Sequence, residues 1–407
     1  MKILQINKYF YKKGGADTVF LNTIDLLSKN GHEVVPFSLL NTKNLETPYS
    51  HYFVDYPELS ATGTFTKIKK APGFFYNKAA AAKLEELIER EKPDIAHIHL
   101  MFNSLSISIL PILKKYNIPT VMSVHDYRLI CPAYTFKNGH GEVCEKCKTR
   151  NFFHCILSRC SNNNLMNSLM LSLDMYFREC FYPPVELIDK FIFVSKFAMN
   201  KHISINPKYK DKSTFLYNFT PSVNTQKKGK GEYMLFFGRI SQEKGIQTLL
   251  SAIKKTPSIT LKLAGMGPLE KQLKSECPKN AEFIGYKSGK VLQDLIMNAS
   301  FVIVPSEWYE NNPMTIIESF TIGTPVIGTN IGGIPELIDP GKTGYICETN
   351  SVDSLSFAIS KANNLSDQEY LEMCNNCKDF ALNNFSENSH YKRLIDIYKQ
   401  TLKEAKS

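Results

Sequence analysis

Short apolar, β-branched runs recur along the chain, separated by amphipathic stretches and by breaks rich in Gly, Pro and Asn. Lys2–Ile6, Glu33–Leu39, Asp94–His99, Thr120–Val124, Phe191–Val194 and Thr214–Tyr217 have the length and composition of buried strands. Thr18–Lys29 and Ala79–Glu91 carry helical periodicity between them. Asn218–Glu232, NFTPSVNTQKKGKGE, is polar, basic and broken by Pro and Gly, and reads as a linker. The alternation then restarts with Tyr233–Phe237, Thr260–Ala264, Glu282–Ile284, Phe301–Val304 and Pro325–Gly328. Amphipathic helices follow at Val352–Asn363, Gln368–Asn383 and Ser389–Lys403. Strand and helix alternating at this spacing predict an α/β protein with two parallel, doubly wound sheets. The expected division is residues 1–217, a linker at 218–232, a second domain at 233–385 and a final helical segment at 386–407.

One helix has a less settled role. In Asn164–Phe181, Leu165, Leu169, Leu173, Tyr176, Phe177 and Cys180 fall on one stripe, widened by Met166, Met170 and Met175. The stripe is read as facing the core, with contact to a membrane or a lipid-linked substrate as the other reading.

Composition narrows the class. With 407 residues, 43% hydrophobic and 12% aromatic, the chain is globular and long enough for two domains. The net charge is 49 − 39 = +10, which suits anionic lipid, nucleic acid or a phosphorylated small molecule. The cations are dispersed rather than clustered with aromatics, which argues against a nucleic-acid binder. MKILQIN enters a strand directly and no apolar run approaches the ~20 residues of a membrane span. A cytoplasmic protein with reduced thiols is expected.

Candidate chemistry concentrates in FVIVPSEWYENNPMTIIESFTIGTPVIGTNIGGIPELI, from Phe301 to Ile338. A strand ends at Pro305-Ser306, a polar loop carries Glu310, and Pro313 stands where a helix begins, with Glu318 in its early turns. Two carboxylates thus lie beside a helix N-terminus at a strand end, where open α/β sheets bind ligands. Gly14-Gly15 also relaxes a strand–helix turn, and His125 stands just past its strand. Phe237-Gly238-Arg239 with Lys244-Gly245 sets two cations beside a strand end, and Gly265-Met266-Gly267-Pro268 is a further glycine turn. The last lacks the third glycine of a nicotinamide fingerprint. Cys131, Cys144, Cys147, Cys155 and Cys160 crowd one segment at about 131–160. In a reduced compartment they suggest a structural zinc on Cys131, Cys144, Cys147 and Cys155, with Cys160 the competing ligand.

In order and spacing these motifs resemble glycosyltransferase family 4, whose members retain the anomeric configuration and have the GT-B fold. The resemblance rests on Gly14-Gly15, His125-Asp126, Ser195-Lys196, Gly238-Arg239, Lys244-Gly245, Gly265–Pro268, Glu310 with Glu318, Gly323–Val326 and Gly332–Glu336. It implies two Rossmann-like domains facing each other across a cleft. The first would bind the acceptor, the second a UDP- or GDP-sugar donor, and the final helix would cross back to the first. Glu318 would hold the donor ribose, and Glu310 would face the transferred sugar. Gly14, Gly15, Gly238, Gly265, Gly267, Asn311, Met314 and Thr315 would surround donor and phosphate. Arg239 and Lys244 would neutralise the diphosphate, and His125 would contact the sugar. Transfer would be front-face, with the departing phosphate accepting the proton, and no Asp-x-Asp is present for a catalytic metal. The acceptor implied is a glycan, lipid-linked in cell-surface polysaccharide synthesis, with peripheral contact to the anionic inner membrane face. A nucleotide-sugar epimerase of the same fold is the competing reading. Asn312-Pro313 departs from relatives with Phe-Gly there, since proline offers no N–H to a phosphate.

Overall fold

The computed structural model describes residues 1–56, 72–223 and 227–405. Part of Tyr49–Tyr76, a segment that the family resemblance implies would help to set acceptor specificity, and Asn224–Gln226 of the expected linker lie outside the described residues. The chain forms two compact units, Met1–Val194 with Ala198–Leu216 and Tyr391–Ser407, and Ser195–Phe197 with Tyr217–His390.

The first unit carries β1 (Lys2–Ile6), β2 (Glu33–Phe37), β3 (Ile95–Ile98), β4 (Thr120–Val124), β5 (Lys190–Phe193) and β6 (Ser213–Phe215). They form one sheet in the order β2-β1-β3-β4-β5-β6, every pair parallel. Ile3, Ile95, Val121 and Ile192, one from each of four adjacent strands, share a cluster with Leu394, Ile395 and Tyr398 of the Glu387–Glu404 helix. The chain winds outward from β1 in one direction and from β3 in the other, so the switch point lies between them.

The second unit carries β7 (Tyr233–Phe237), β8 (Thr260–Ala264), β9 (Ala281–Phe283), β10 (Ala299–Val304), β11 (Val326–Thr329) and β12 (Gly344–Cys347). Their order is β12-β11-β10-β7-β8-β9, again parallel throughout. Strand β12, GYIC, is missing from the sequence expectation, because a run that opens on glycine behind Asp339-Pro340-Gly341 and holds one β-branched residue reads as a turn. Alternate residues of β10, Phe301 and Ile303, pack with Met234 and Phe236 of β7 and with Leu249, Leu250 and Ile253 of the Ile246–Lys254 helix. The switch point here lies between β7 and β10.

Two expectations need correction. The helix Leu165–Phe181 buries Ser168, Ser172, Asp174, Met175 and Arg178, while Leu165, Met166, Leu173, Tyr176 and Phe181 remain exposed. Of the apolar stripe, Met175 is buried and Leu169, Met170 and Phe177 are half-buried, while the rest faces away from the core. The linker is also less loose than its composition suggests. Asn218, Phe219 and Lys227 are buried, and Asn218 N–H donates to Asn312 Oδ1 at 2.8 Å. Lys227 Nζ donates to the Ala299 carbonyl, and burial lowers its pKa to about 8.

Candidate active site

Strand β10 ends at Val304, and the loop to the Met314–Ile322 helix turns Glu310 inward, where its side chain is 8% exposed. Lys244 Nζ donates to Glu310 Oε1 at 2.5 Å, and Ser306 Oγ donates to the same oxygen at 2.8 Å. Burial alone would raise the Glu310 pKa. The Lys244 charge and these hydrogen bonds outweigh it and hold the carboxyl below its ordinary value. The Lys244 ammonium also lies 5.4 Å from the centre of the Trp308 ring, a cation–π distance.

The Gly332-Gly333 turn builds the floor of this loop. Gly333 N–H donates to the Glu310 carbonyl at 2.7 Å. A Cβ on Gly333 would meet the Asn311 carbonyl oxygen at 1.9 Å, so only glycine fits. Glu336, which closes the same motif, has a different task. It accepts the N–H groups of Lys196 and Phe197 and the Tyr217 hydroxyl. It is a capping carboxylate, and its pKa is raised by burial despite those donors.

Across the switch point the end of β7 meets the end of β8. Gly238 N–H donates to the Ala264 carbonyl and Ile240 N–H to that of Met266, both at 3.0 Å. A Cβ on Gly265 would meet the Gly238 carbonyl oxygen at 1.9 Å, so this contact requires a bare backbone. A Cβ on Gly267 would likewise meet the Ile240 carbonyl oxygen, at 2.1 Å. Arg239 is exposed on the rim of this double turn, and Gly245 ends the turn Gln242–Lys244 that delivers Lys244 to Glu310. Thr315 Oγ1 reaches the Phe237 carbonyl at 3.5 Å, tying the Met314–Ile322 helix to the end of β7.

That helix begins at Pro313 with no side-chain cap, leaving early main-chain N–H groups for a ligand. Met314, Thr315 and Glu318 are half-buried around it. Asn311 and Asn312 are buried in the preceding loop. Asn312 Nδ2 makes no hydrogen bond among the described residues, while its carbonyl oxygens hold Asn218. Sequence reasoning noted Asn312 only as Pro313's neighbour and missed Ser306 and Trp308, which carry no motif of their own.

The first unit presents its own strand-end groups. The Gly15–Lys29 helix starts after Gly14, which supplies no side-chain cap. Asp17 in its first turn is buried, takes an N–H from Gly14 and accepts the Asn7 amide at 2.9 Å. Burial raises the Asp17 pKa against those donors. The Gly14 N–H is therefore engaged with Asp17, and the exposed backbone at Gly15 is the open part of this turn. His125, beyond β4, pairs with His99 beyond β3, Nε2 to Nδ1 at 2.9 Å, with the rings stacked. Burial lowers the His125 pKa to about 4, so the imidazole is neutral at physiological pH. His99 went unnoticed in the sequence because the pairing is made across neighbouring strands.

The five clustered cysteines gather in one place. Ala133 and Phe136 N–H groups reach the Cys131 sulfur, Cys155 N–H reaches Cys147, and the Cys155 and Cys160 thiols share a hydrogen bond. Burial pushes Cys131 and Cys147 up to about 12. Among the described residues no group of three or more His, Cys, Asp or Glu side chains is arranged to hold a metal ion. Of the expected ligand set, Cys131 and Cys144 each lie within electrostatic reach of Cys147, as does Cys155, which shares its thiol hydrogen bond with Cys160.

Comparison with known proteins agrees with this architecture. The family model "Glycosyltransferase Family 4" matches residues 13–220, and "Glycosyl transferases group 1" matches 221–383. An uncharacterized glycosyltransferase of Methanocaldococcus jannaschii, MJ1178, is 27% identical over 296 residues, 72% of each chain. A putative colanic acid biosynthesis glycosyltransferase of Salmonella typhimurium, WcaL, is 24% identical over 153 residues, 34% of this chain and 37% of its own. The crystal structure of Anabaena HepE with UDP superposes with a TM-score of 0.67 at 16% identity, covering 98% of this chain and 100% of that one. With two six-stranded parallel domains and family matches spanning both, the chain belongs to glycosyltransferase family 4 and has the GT-B fold.

Proposed function

We propose that the protein transfers a sugar, with retention of configuration, from a UDP- or GDP-sugar to a hydroxyl of a lipid-linked glycan in cell-surface polysaccharide synthesis. The observation that carries this reading is the pairing of Lys244 with the buried Glu310 beside an uncapped helix start with Glu318 on its early turns. A nucleotide diphosphate needs cations and N–H donors at one end and a carboxylate for its ribose hydroxyls at the other. The second unit supplies those groups around one switch point. The UDP and UDP-glucose complexes of HepE support a nucleotide-sugar donor.

In this reading Lys244 and Arg239 neutralise the departing diphosphate, the electrostatic task of fixed cations. Glu310 holds Lys244 in place before the donor arrives and lines the sugar site. Glu318 holds the ribose, and the amides of Met314 and Thr315 stand in for the N–H that Pro313 lacks. Neutral His125 donates or accepts a hydrogen bond at the sugar without adding charge. The acceptor hydroxyl attacks on the face from which the phosphate leaves, and that phosphate takes its proton. The transfer needs no protein nucleophile, unlike retaining hydrolysis through two carboxylates.

The test is a screen of nucleotide sugars, following UDP or GDP release with and without glycan acceptor, with the product anomer read by NMR. An α-donor giving an α-linked product supports the proposal. An inverted product, or donor turnover to an epimer without acceptor, overturns it.

A structural zinc in the 131–160 segment is a separate proposal. The gathered sulfurs and their N–H donors support it, and uptake would require the thiols to reorient. Elemental analysis of protein purified without added metal decides it, and less than about half an equivalent removes the proposal.

A further inference from the structure

The helix Leu165–Phe181 is built the wrong way round for a helix that merely fills a core. Its inward face is polar apart from Met175: Ser172 Oγ donates to the Phe152 carbonyl at 3.0 Å, and Ser168 Oγ accepts Ser161 N–H at 3.1 Å. Arg178 is held by Asp174 at 3.0 Å in a buried ion pair, by the Arg128 carbonyl at 3.0 Å, and by the Phe102 ring at 4.3 Å. These bonds fix the rotation of the helix, so the apolar stripe cannot roll inward without unpairing a buried charge. Outside, Leu165, Met166, Leu173 and Tyr176 fall within an arc of about 100° at 100° per residue, and all four are exposed.

The short helix Phe153–Leu157 extends this surface. Phe153 and Leu157, one turn apart, are 51% and 65% exposed. Phe153 N–H donates to the Tyr176 hydroxyl at 3.2 Å, which joins the two helices' outer faces. Isolated exposed apolar residues need no explanation, but a continuous face of six on two packed helices does.

The charge around the face indicates what covers it. Residues 146–181 hold five cations, Lys146, Lys148, Arg150, Arg159 and Arg178, against two carboxylates, Asp174 and Glu179. Both carboxylates are already paired, with Arg178 and with Arg150. Lys146, Lys148 and Arg159 are exposed, and the nearby Glu145 is bound to Lys201 at 2.7 Å. Glu142 is the exposed acid on the approach. An apolar face bordered by cations, on helices too short and too polar to span a bilayer, is the pattern of an element that lies in a membrane interface.

We infer that the face formed by Phe153, Leu157, Leu165, Met166, Leu173 and Tyr176, with Lys146, Lys148 and Arg159, docks the first domain on an anionic lipid bilayer. The inference rests on this helix surface alone, so it stands or falls separately from the donor reading. The apolar side chains enter the acyl boundary, and the cations remain among the headgroups.

The experiment is co-sedimentation of the full chain with phosphatidylglycerol–phosphatidylcholine vesicles, compared with phosphatidylcholine alone, at low and high salt. Binding to the anionic vesicles that weakens with salt is expected. Phe153→Ser/Met166→Ser/Leu173→Ser should lower the partition coefficient about tenfold or more. Lys148→Glu/Arg159→Glu should remove the preference for anionic lipid. Val291→Ser, an exposed apolar residue of the second domain, should change nothing. Hydrogen exchange on the unaltered protein, with protection of residues 153–173 on adding vesicles, keeps the test valid if a variant misfolds. Failure of the unaltered protein to bind overturns the inference, as does a triple variant that binds normally. A dimer that the triple variant dissolves would assign the face to a second copy instead. Donor-derived nucleotide release on the same samples reports the catalytic reading independently.

Discussion

Replacing Glu310 by glutamine keeps the shape of the side chain and removes its charge. Glu310 accepts from Lys244 at 2.5 Å and from Ser306 at 2.8 Å. A charge-assisted hydrogen bond contributes about 1.5–3 kcal/mol. The Lys244 side chain is 25% exposed, so water can take up part of the loss, and we expect about 1–2 kcal/mol of destabilisation. The reverse truncation is harsher. Lys244→Ala leaves a carboxylate only 8% exposed without its counter-charge, a change that costs about 3–5 kcal/mol in buried pairs. Glu310→Gln/Lys244→Ala should recover part of that loss, because neither charge then remains. Urea unfolding of the four proteins measures the cycle, and nucleotide release measures turnover. Turnover should fall about 10²–10³-fold in Glu310→Gln if the carboxylate lines the reacting sugar. The reasoning is refuted if Lys244→Ala is no more destabilising than Glu310→Gln, or if the two effects add within about 0.5 kcal/mol. Acid supplies an independent check. The folded pKa of Glu310 lies below its ordinary value, so its contribution is complete above the unfolded carboxyl value and disappears as pH falls through the folded one. Glu310→Gln should flatten that acid limb.

Three further outcomes are expected. Glu318→Ala should raise the donor KM about tenfold with kcat changed by less than about threefold, since a ribose contact is shared by ground and transition states; equal losses in kcat would place it at the reacting centre. The lowered pKa of His125, about 4, means that its contribution to stability is present above the ordinary histidine value and is lost as pH falls toward about 4; His125→Gln should reduce the pH dependence of urea unfolding in that window, and an unchanged slope would count against the burial argument. Gly333→Ala, whose Cβ would meet the Asn311 carbonyl oxygen at 1.9 Å, should displace the Glu310 loop, weakening donor binding about tenfold or more in calorimetry.

Much of this was legible in the chain because buried parallel strands announce themselves. Lys2–Ile6, Thr120–Val124 and Phe301–Val304 are short, apolar and flanked by breaks, and the six strands of the first domain follow from such runs. Strand β12 escaped because GYIC opens on glycine and carries a single β-branched residue, unlike the equally short FVIV of β10. The Leu165–Phe181 helix misled for a deeper reason. Periodicity reports that a helix has an apolar face but not which way it points. Here Arg178 and the serines hold the opposite face inside through bonds no pattern reveals. In the candidate site, glycines and glutamates were visible because backbone proximity and charge restrict residue type. Ser306, Trp308 and His99 were not, because their roles arise only when separate strand ends are brought together.

The cluster that joins Ile3, Ile95 and Val121 to Leu394, Ile395 and Tyr398 has a consequence for synthesis on the ribosome. His97 Nδ1 lies 2.6 Å from the Tyr398 hydroxyl, so a buried polar group of the central sheet also awaits that segment. The amino-terminal domain is translated first, yet its hydrophobic interior stays open until every residue of the other domain has emerged. The usual vectorial order, in which each domain closes as it leaves the exit tunnel, is therefore interrupted. A nascent chain stalled before Tyr391 should expose a sheet face that recruits chaperones, and loss of the closing helix should damage the domain made earliest.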